Sequence, residues 1–417
     1  MEAAQQLAIR KHRAATGQIE SLMYRVPPPF RFFFPQFFAL IGTNDAIALL
    51  RHLMEDRFSV VRVEALLSAA RFGRDDLLPS IRSSLTHLDV AEQEAAAFSV
   101  GLLKDTRCQK RLIKLLDSPQ SNVQIAAALS LHKLGDHSGI ALLLEKAGKE
   151  DLYAIQALSA VNEGADLLAR LSKHADIQVR LNATMALLAM RDDRAALPLM
   201  ELLLHDSRDM GFMPHPSLGR SQLSWKAVFS AAQHQKEGPY DIFSSTIMLR
   251  EQLLTQALEL SDEIFMKIAE TLLHSRQADL IPLLTNLLEN LQTPEAITLL
   301  KQSASRAGDP LARAYCSLAL FRLKEEGPWE ENVKGWARRN LSTEMIQFRP
   351  MVTIDQRITR SPFELTPEDH SRLLIETFQT IADRHEESGI ALLLDALEKG
   401  NPKNRYVLAG LLLRALQ

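Results

Sequence analysis

Arg31, Arg62, Gln93 and Gln124 stand at one constant interval along the chain, and their neighbourhoods recur with them. Three positions downstream come Phe34, Ala65, Ala96 and Ala127. Seven downstream come Phe38, Ala69, Val100 and Leu131, and ten downstream come Ile41, Phe72, Leu103 and Leu134. Offsets of three, seven and ten share one face of a helix. A fixed period of this length marks helix pairs that stack in line, because one pair alone cannot bury both of its apolar faces. Such a chain grows by adding units, so its 417 residues need not divide into ordinary domains.

Each unit reads as a Leu-rich first helix, such as Ile140 to Leu144, a short polar turn, and an Ala-rich second helix, such as Val123 to Leu129. Alanines let neighbouring helices approach and leucines fill the layer between them. Two further units follow at about 136–164 and 165–191, the latter with Asp176, Val179, Arg180, Ala183 and Leu187 in register. The step from Gln124 to Arg180 falls short of two full periods, so these units are trimmed.

After His205 the register fails. Gly211, Pro214, Pro216 and Gly219 predict a long loop, and alternating apolar and polar runs are nearly absent, so no sheet is expected. A second helical block restores the pattern at Asp309 to Arg313, Cys316, Leu320 and Leu323. A stretch with Pro350 and Pro362 interrupts it. Thr366-Pro367-Glu368-Asp369 then predicts a helix start: a capping hydroxyl, proline in the first turn and acids suited to the helix dipole. Ser388 to Leu394 repeats Ser138 to Leu144 letter for letter, marking a closing repeat. The expected organisation is an N-terminal helical cap with a Phe-rich segment (1–42), repeats (43–205), an irregular insertion with helices (206–260), a second repeat block (261–340), an irregular loop (341–366) and a C-terminal helical repeat or cap (367–417).

Asp56 to Gly73, with Val61-Arg62, Ala65, Ala69 and Phe72-Gly73, resembles the HEAT repeat, as do Asp117 to Gly135, Asp176 to Arg191 and Asp309 to Leu323. The short period is most similar to the subclass named after phycobilisome lyases. The resemblance implies an all-α, right-handed alpha-alpha superhelix of the HEAT/armadillo-like solenoid type. It also implies pairing, within or between repeats, of a turn Asp with a second-helix Arg, a pattern matched by Asp56 with Arg62, Asp176 with Arg180 and Asp309 with Arg313. Gln93 and Gln124 interrupt that series. Repeats of this kind serve scaffolds, chaperones, lyase subunits and a few enzymes, so the resemblance specifies architecture far more than activity.

Chemistry is sparse. There is no GxxxxGK[ST], GxSxG or HExxH, and no GxGxxG after a strand. Cys108 and Cys316 form no CxxC, which argues against a thiolate zinc site or a disulfide framework. His132 and His137 are expected to be separated by a turn at Gly135. Deoxyhypusine hydroxylases hold iron through several His-Glu pairs on such repeats, and this chain has only His385-Glu386. No metal, cofactor or small-molecule substrate is expected. A net charge of −3 does not suit a general nucleic-acid binder. The local exception is Lys334, Arg338, Arg339, Arg349, Arg357 and Arg360, a possible basic patch near Trp329 and Trp336 that, with Trp225, invites comparison with HEAT-like alkylpurine DNA glycosylases. The segment from Met1 to Ala15 lacks an apolar h-region, which argues against a secretory signal. No apolar run is long enough to span a bilayer, so no membrane span is expected and a cytoplasmic location is the default.

Phe30, Phe32, Phe33, Phe34, Phe37 and Phe38 supply six of the 17 phenylalanines. The register places Phe34, Phe38 and Ile41 toward the core of a helix spanning Arg31 to Gly42, packed under a helix over Glu2 to Tyr24. The expected function is a non-catalytic scaffold or adaptor. It would hold a protein partner on a concave face built from second helices, through Phe33, Phe37, Arg71, Ser99, Leu102, Ser130 and Lys133. The alternative is an enzyme or enzyme subunit on the same scaffold, either bilin-lyase-like or nucleic-acid-processing.

Overall fold

The computed structural model describes residues 2–11, 15–204, 210–214, 227–231, 249–275, 277–306, 308–342 and 367–416. Trp225, Arg349, Arg357 and Arg360 lie outside them. The chain is an all-α solenoid that divides into two compact units, Met1–Ala195 with Phe212–Ala231, and Ala196–Gly211 with Ala232–Gln417.

In the first unit the sequence period is visible as geometry. The second helices α5 (Ser59–Arg71), α7 (Val90–Leu102) and α9 (Ser121–Lys133) are each 13 residues long, and their starts keep the interval that separates Arg62 from Gln93 and Gln93 from Gln124. They pack in sequence, α5 on α7 and α7 on α9, and continue through α11 (Leu152–Ala157) to α13 (Ile177–Ala189). The first helices α4 (Asn44–Leu53), α6 (Leu78–Ser84), α8 (Gln109–Leu115), α10 (Ile140–Gly148) and α12 (Ala165–Leu171) form the other layer. The periodic face is the core: Ala65, Ala69, Ala96, Val100, Ala127 and Leu131 are all fully buried.

The turn after each second helix needs a left-handed residue, and it recurs with the period: Gly73 (φ 64°), Lys104 (φ 54°) and Gly135 (φ 82°). Glycine takes this conformation at little steric cost, whereas lysine does not. The entry to α7, α11 and α13 is fixed by Asp89, Asp151 and Asp176, whose carboxylates accept from main-chain N–H groups of the first turn.

At the N-terminus, Phe34 and Phe38 are buried as the register predicts. The helix expected over Arg31 to Gly42 is shorter. A 3-10 turn, Pro28–Phe33, precedes α3 (Pro35–Ile41), because proline suits a first helical turn and has no N–H to continue one from upstream. Gly42 ends α3 at φ 67°, where the Arg74 guanidinium caps the Ala39 carbonyl at 2.7 Å and leaves no room for a Cβ. The helix expected over Glu2 to Tyr24 is described as α1 (Glu2–Ile9) and α2 (Ala15–Arg25).

The departure from helix among the described residues is a two-stranded ribbon where no sheet was expected: Met210–Pro214 lies in the stretch expected to be loop, and Ala227–Ala231 in the one expected to hold irregular helices. The backbone of Ala227–Ala231 runs along α11 and α13.

The second unit carries α14 (Ala196–Leu204), α15 (249–256), α16 (Asp262–Leu273), α17 (Ile281–Leu291), α18 (Pro294–Arg306), α19 (Pro310–Arg322), α20 (Trp329–Asn340), α21 (Pro367–Ala382), α22 (Glu387–Lys399) and α23 (Arg405–Ala415). Here α17 packs on α19, α19 on α21 and α21 on α23 in one layer, while α14 packs on α16, α16 on α18 and α20 on α22 in the other. Asp309 caps α19 by accepting from Leu311 N–H at 2.8 Å, with Pro310 opening the helix. The duplicated string has one role in both places. Gly139 lets α10 start hard against Ala128 of α9, and Gly389 lets α22 pass Ile381 of α21, positions where a Cβ would lie 2.6 and 2.7 Å from its neighbour.

Candidate functional site

The residues expected to form a partner surface separate into two groups. Phe37, Ser99 and Ser130 are buried and drop out of it. The Ser99 hydroxyl donates to the Leu66 carbonyl at 3.2 Å, and that of Ser130 to the Ala97 carbonyl at 2.7 Å. Each serine therefore stitches its helix to the preceding second helix. The layer is so close there that a Cβ on Gly101 would stand 2.6 Å from Ser130 Cα. Arg71 and Leu102 are exposed, Phe33 and Lys133 half-buried. Arg71, Leu102 and Lys133 end three successive second helices in register. Lys133 lies over the Phe98 ring at 5.0 Å, and burial lowers its pKa.

The Asp-Arg pairing seen at Arg62 runs between repeats. Arg62 binds the Asp56 main-chain carbonyl at 2.8 Å, and its carboxylate partners come from the next repeat: Glu92 at 2.5 Å and Asp89 at 3.3 Å. Arg180 likewise donates to the His174 carbonyl at 2.8 Å. The turn aspartates Asp176 and Asp309 serve as helix caps. The guanidiniums of Arg62 and Arg180 are therefore structural.

The described cations near the tryptophans, Lys334, Arg338 and Arg339, do not form one patch. Lys334 is buried against Glu330, Ser388 (2.8 Å) and Glu386 (3.9 Å), so it belongs to an ionic network and not to a patch. Arg338 lies 3.8 Å from Glu331, and only Arg338 and Arg339 of the described members are exposed. Both described tryptophans, Trp329 and Trp336, are buried. His132 and His137 do meet, edge to face at 5.4 Å, despite the Gly135 turn. Among the described residues no three metal-ligating side chains converge. Burial pushes the Cys108 thiol up to about 11, with Asp105 adding to the effect, and the Cys316 thiol up to about 12, so neither is poised as a nucleophile.

What the sequence does not announce is a cavity of about 500 Å³ in the second unit, walled by α15, α17, α19 and α21. Its carboxylates are Glu251, Asp279, Glu289, Asp369 and Glu376, and its cations are Arg322 and Arg372. Pro282, Leu283, Leu318 and Ala319 supply apolar lining, and Tyr315 stands between, its hydroxyl donating to the Asp369 carbonyl at 2.6 Å. Fully buried Arg250 sits behind the wall. It holds Asp279 through two bonds of 2.8 and 3.1 Å, the Leu203 carbonyl at 2.7 Å and Gln277 at 2.9 Å. Arg322 lies between two carboxylates, Glu376 at 3.0 Å and Glu289 at 3.4 Å. Burial raises the pKa of Glu289 against the pull of Arg322, with Glu376 adding repulsion. Glu251 is raised by burial, with Asp369 and Asp279 adding to the effect. Its described walls present carboxylates and guanidiniums that can bind and orient charged groups.

An all-α solenoid of stacked helix pairs is the class defined by this geometry. Residues 78–162 match the family model for HEAT repeats, and residues 179–205 match that for the PBS lyase HEAT-like repeat. The chain therefore carries HEAT-type repeats over those residues. No curated protein matches it. The crystal structure of an engineered protein aligns with 89% of this chain and 99% of its own, at 13% identity and a TM-score of 0.32, a likeness too loose to carry an argument.

Proposed function

We propose that the chain is a non-catalytic scaffold that binds a protein partner along its second-helix layers. The observation that supports this reading is the cavity of the second unit. It is walled by four helices, three of them (α17, α19 and α21) in one layer, and combines apolar lining with charged walls, which suits gripping side chains of an extended segment laid across repeats. In the first unit, Phe33, Arg71, Leu102 and Lys133 are the members of the expected surface that remain available; Ala227–Ala231 already lies along the layer at α11 and α13.

The test is site-specific crosslinking in the full chain. Photoreactive residues at Leu283 and Asn286, in the cavity, and at Leu102 are compared with one at Glu263 on the opposite layer of the second unit. Crosslinks to one partner protein from the first three positions and not from Glu263 support the reading. A partner captured equally from Glu263, or retained by a Tyr315→Ala/Leu318→Glu variant of native helicity, overturns it.

A further inference from the structure

This inference rests on the scaffold reading and deepens it: we infer that the cavity of the second unit takes the basic side chains, arginine or lysine, of a partner segment. The argument combines shape with charge. Five carboxylates line the cavity and two guanidiniums face them. Among the described residues, and counting Arg250 as well, three cations stand against five anions, and Arg250 donates to Asp279, Gln277 and Leu203. Arg322 is shared by Glu289 and Glu376 on two different helices. Gathering like charges in a partly desolvated space is costly unless a cation joins them.

The apolar lining selects among cations. A hydrated metal ion or a small ammonium gains nothing from Leu283, Leu318 and Ala319. An arginine or lysine carries an aliphatic stem that covers such surface and a charged tip that reaches the carboxylates. An acidic segment would meet the excess negative charge, and an apolar one would strip water from carboxylates without replacing it. The groove of about 730 Å³ between α16 and α18 is a natural control. It is also acidic, through Asp262, Glu263, Glu270 and Glu295, but it lies on the other layer.

The experiment uses the full chain and a fluorescein-labelled nonapeptide of alternating arginine and alanine, read by anisotropy. A glutamate–alanine peptide and free spermidine are the comparison probes. The arginine peptide is expected to bind, to weaken at least tenfold between 50 and 300 mM salt, and to weaken at least tenfold in Glu251→Gln/Glu376→Gln while Glu263→Gln/Glu295→Gln binds as the parent does. Circular dichroism confirms that each variant keeps its helicity. The inference is overturned if the arginine peptide does not bind, if the glutamate peptide binds as well, if the cavity variant is unaffected, or if spermidine binds as tightly as the peptide, which would make this a site for a small cation. Should the arginine peptide fail while crosslinks from Leu283 still capture a partner, the cationic occupant is wrong and the scaffold stands; loss of both removes both.

Discussion

Replacing Glu64 by glutamine should stabilise the first unit, by an amount set by pH. Glu64 lies within α5 and is 2% exposed, with Oε2 lacking a hydrogen-bond partner among the described residues. Burial lifts its pKa from 4.5 to about 8; Ser68 one turn away and the charge of Arg71 offset only part of that. The folded chain therefore holds a proton that the unfolded chain releases above pH 4.5. The stability this group contributes is complete below pH 4.5 and drains away as pH rises toward 8, where the folded state ionises too. From 4.5 to 7, at about 1.4 kcal/mol per pH unit, the loss reaches about 3 kcal/mol. Glutamine keeps the shape and has no proton to give up. Parent and Glu64→Gln should then be nearly equal at pH 5 and differ by about 3 kcal/mol at pH 7, with no further growth of the gap above pH 8. Hydrogen exchange of the α5 amides reads this locally, with urea unfolding followed by circular dichroism as the global check. A gap that stays constant from pH 5 to 8 would refute the reasoning, since it would mean that Glu64 ionises alike in both states.

The remaining predictions are simpler. Gly101→Ala should destabilise by about 1–3 kcal/mol in thermal or urea melts, the range for forcing extra atoms into a packed layer. Adding Ser130→Ala should restore only part of that, because the clash includes the Ser130 main chain. Lys104→Gly should stabilise by about 0.5–1 kcal/mol, since relief of the left-handed conformation exceeds the added freedom of the unfolded chain; an unchanged or lower melting point would count against it. Ellman's reagent at pH 8 should label Cys108 and Cys316 of the native protein roughly a hundredfold more slowly than free cysteine and both at once after unfolding. Rapid labelling of either native thiol would show that it is not buried as described.

The repeat core is legible in the sequence because an apolar side chain at offsets of three, seven and ten can do little else. Phe34, Ala65, Val100 and Leu131 are where periodicity puts them. Ser99 and Ser130 depart from expectation for a physical reason. A hydroxyl recurring on an alanine-rich helix looks solvent-facing, but its fate depends on how near the next helix comes, a distance no single residue encodes. Gly101 is the available clue, since a glycine inside a helix is costly without a close neighbour. The cavity leaves no local signal. Its walls come from Glu251 through Glu376 on four helices, in the part of the chain where the register is weakest, so Arg322 meets Glu289 and Glu376 only in three dimensions. The strands of the ribbon, Met210–Pro214 and Ala227–Ala231, are too short for alternation to stand out.

The serine stitches also have a mechanical meaning. Ser99 reaches back to Leu66 and Ser130 to Ala97, so each bond ties a repeat only to the one before it. Tension applied along the chain is then resisted one junction at a time. Drawn out in an optical trap, the first unit should yield in steps, each freeing one repeat and lengthening the chain by roughly 9–10 nm. Pulled in this way, the first unit would release length in quanta fixed by its own repeat.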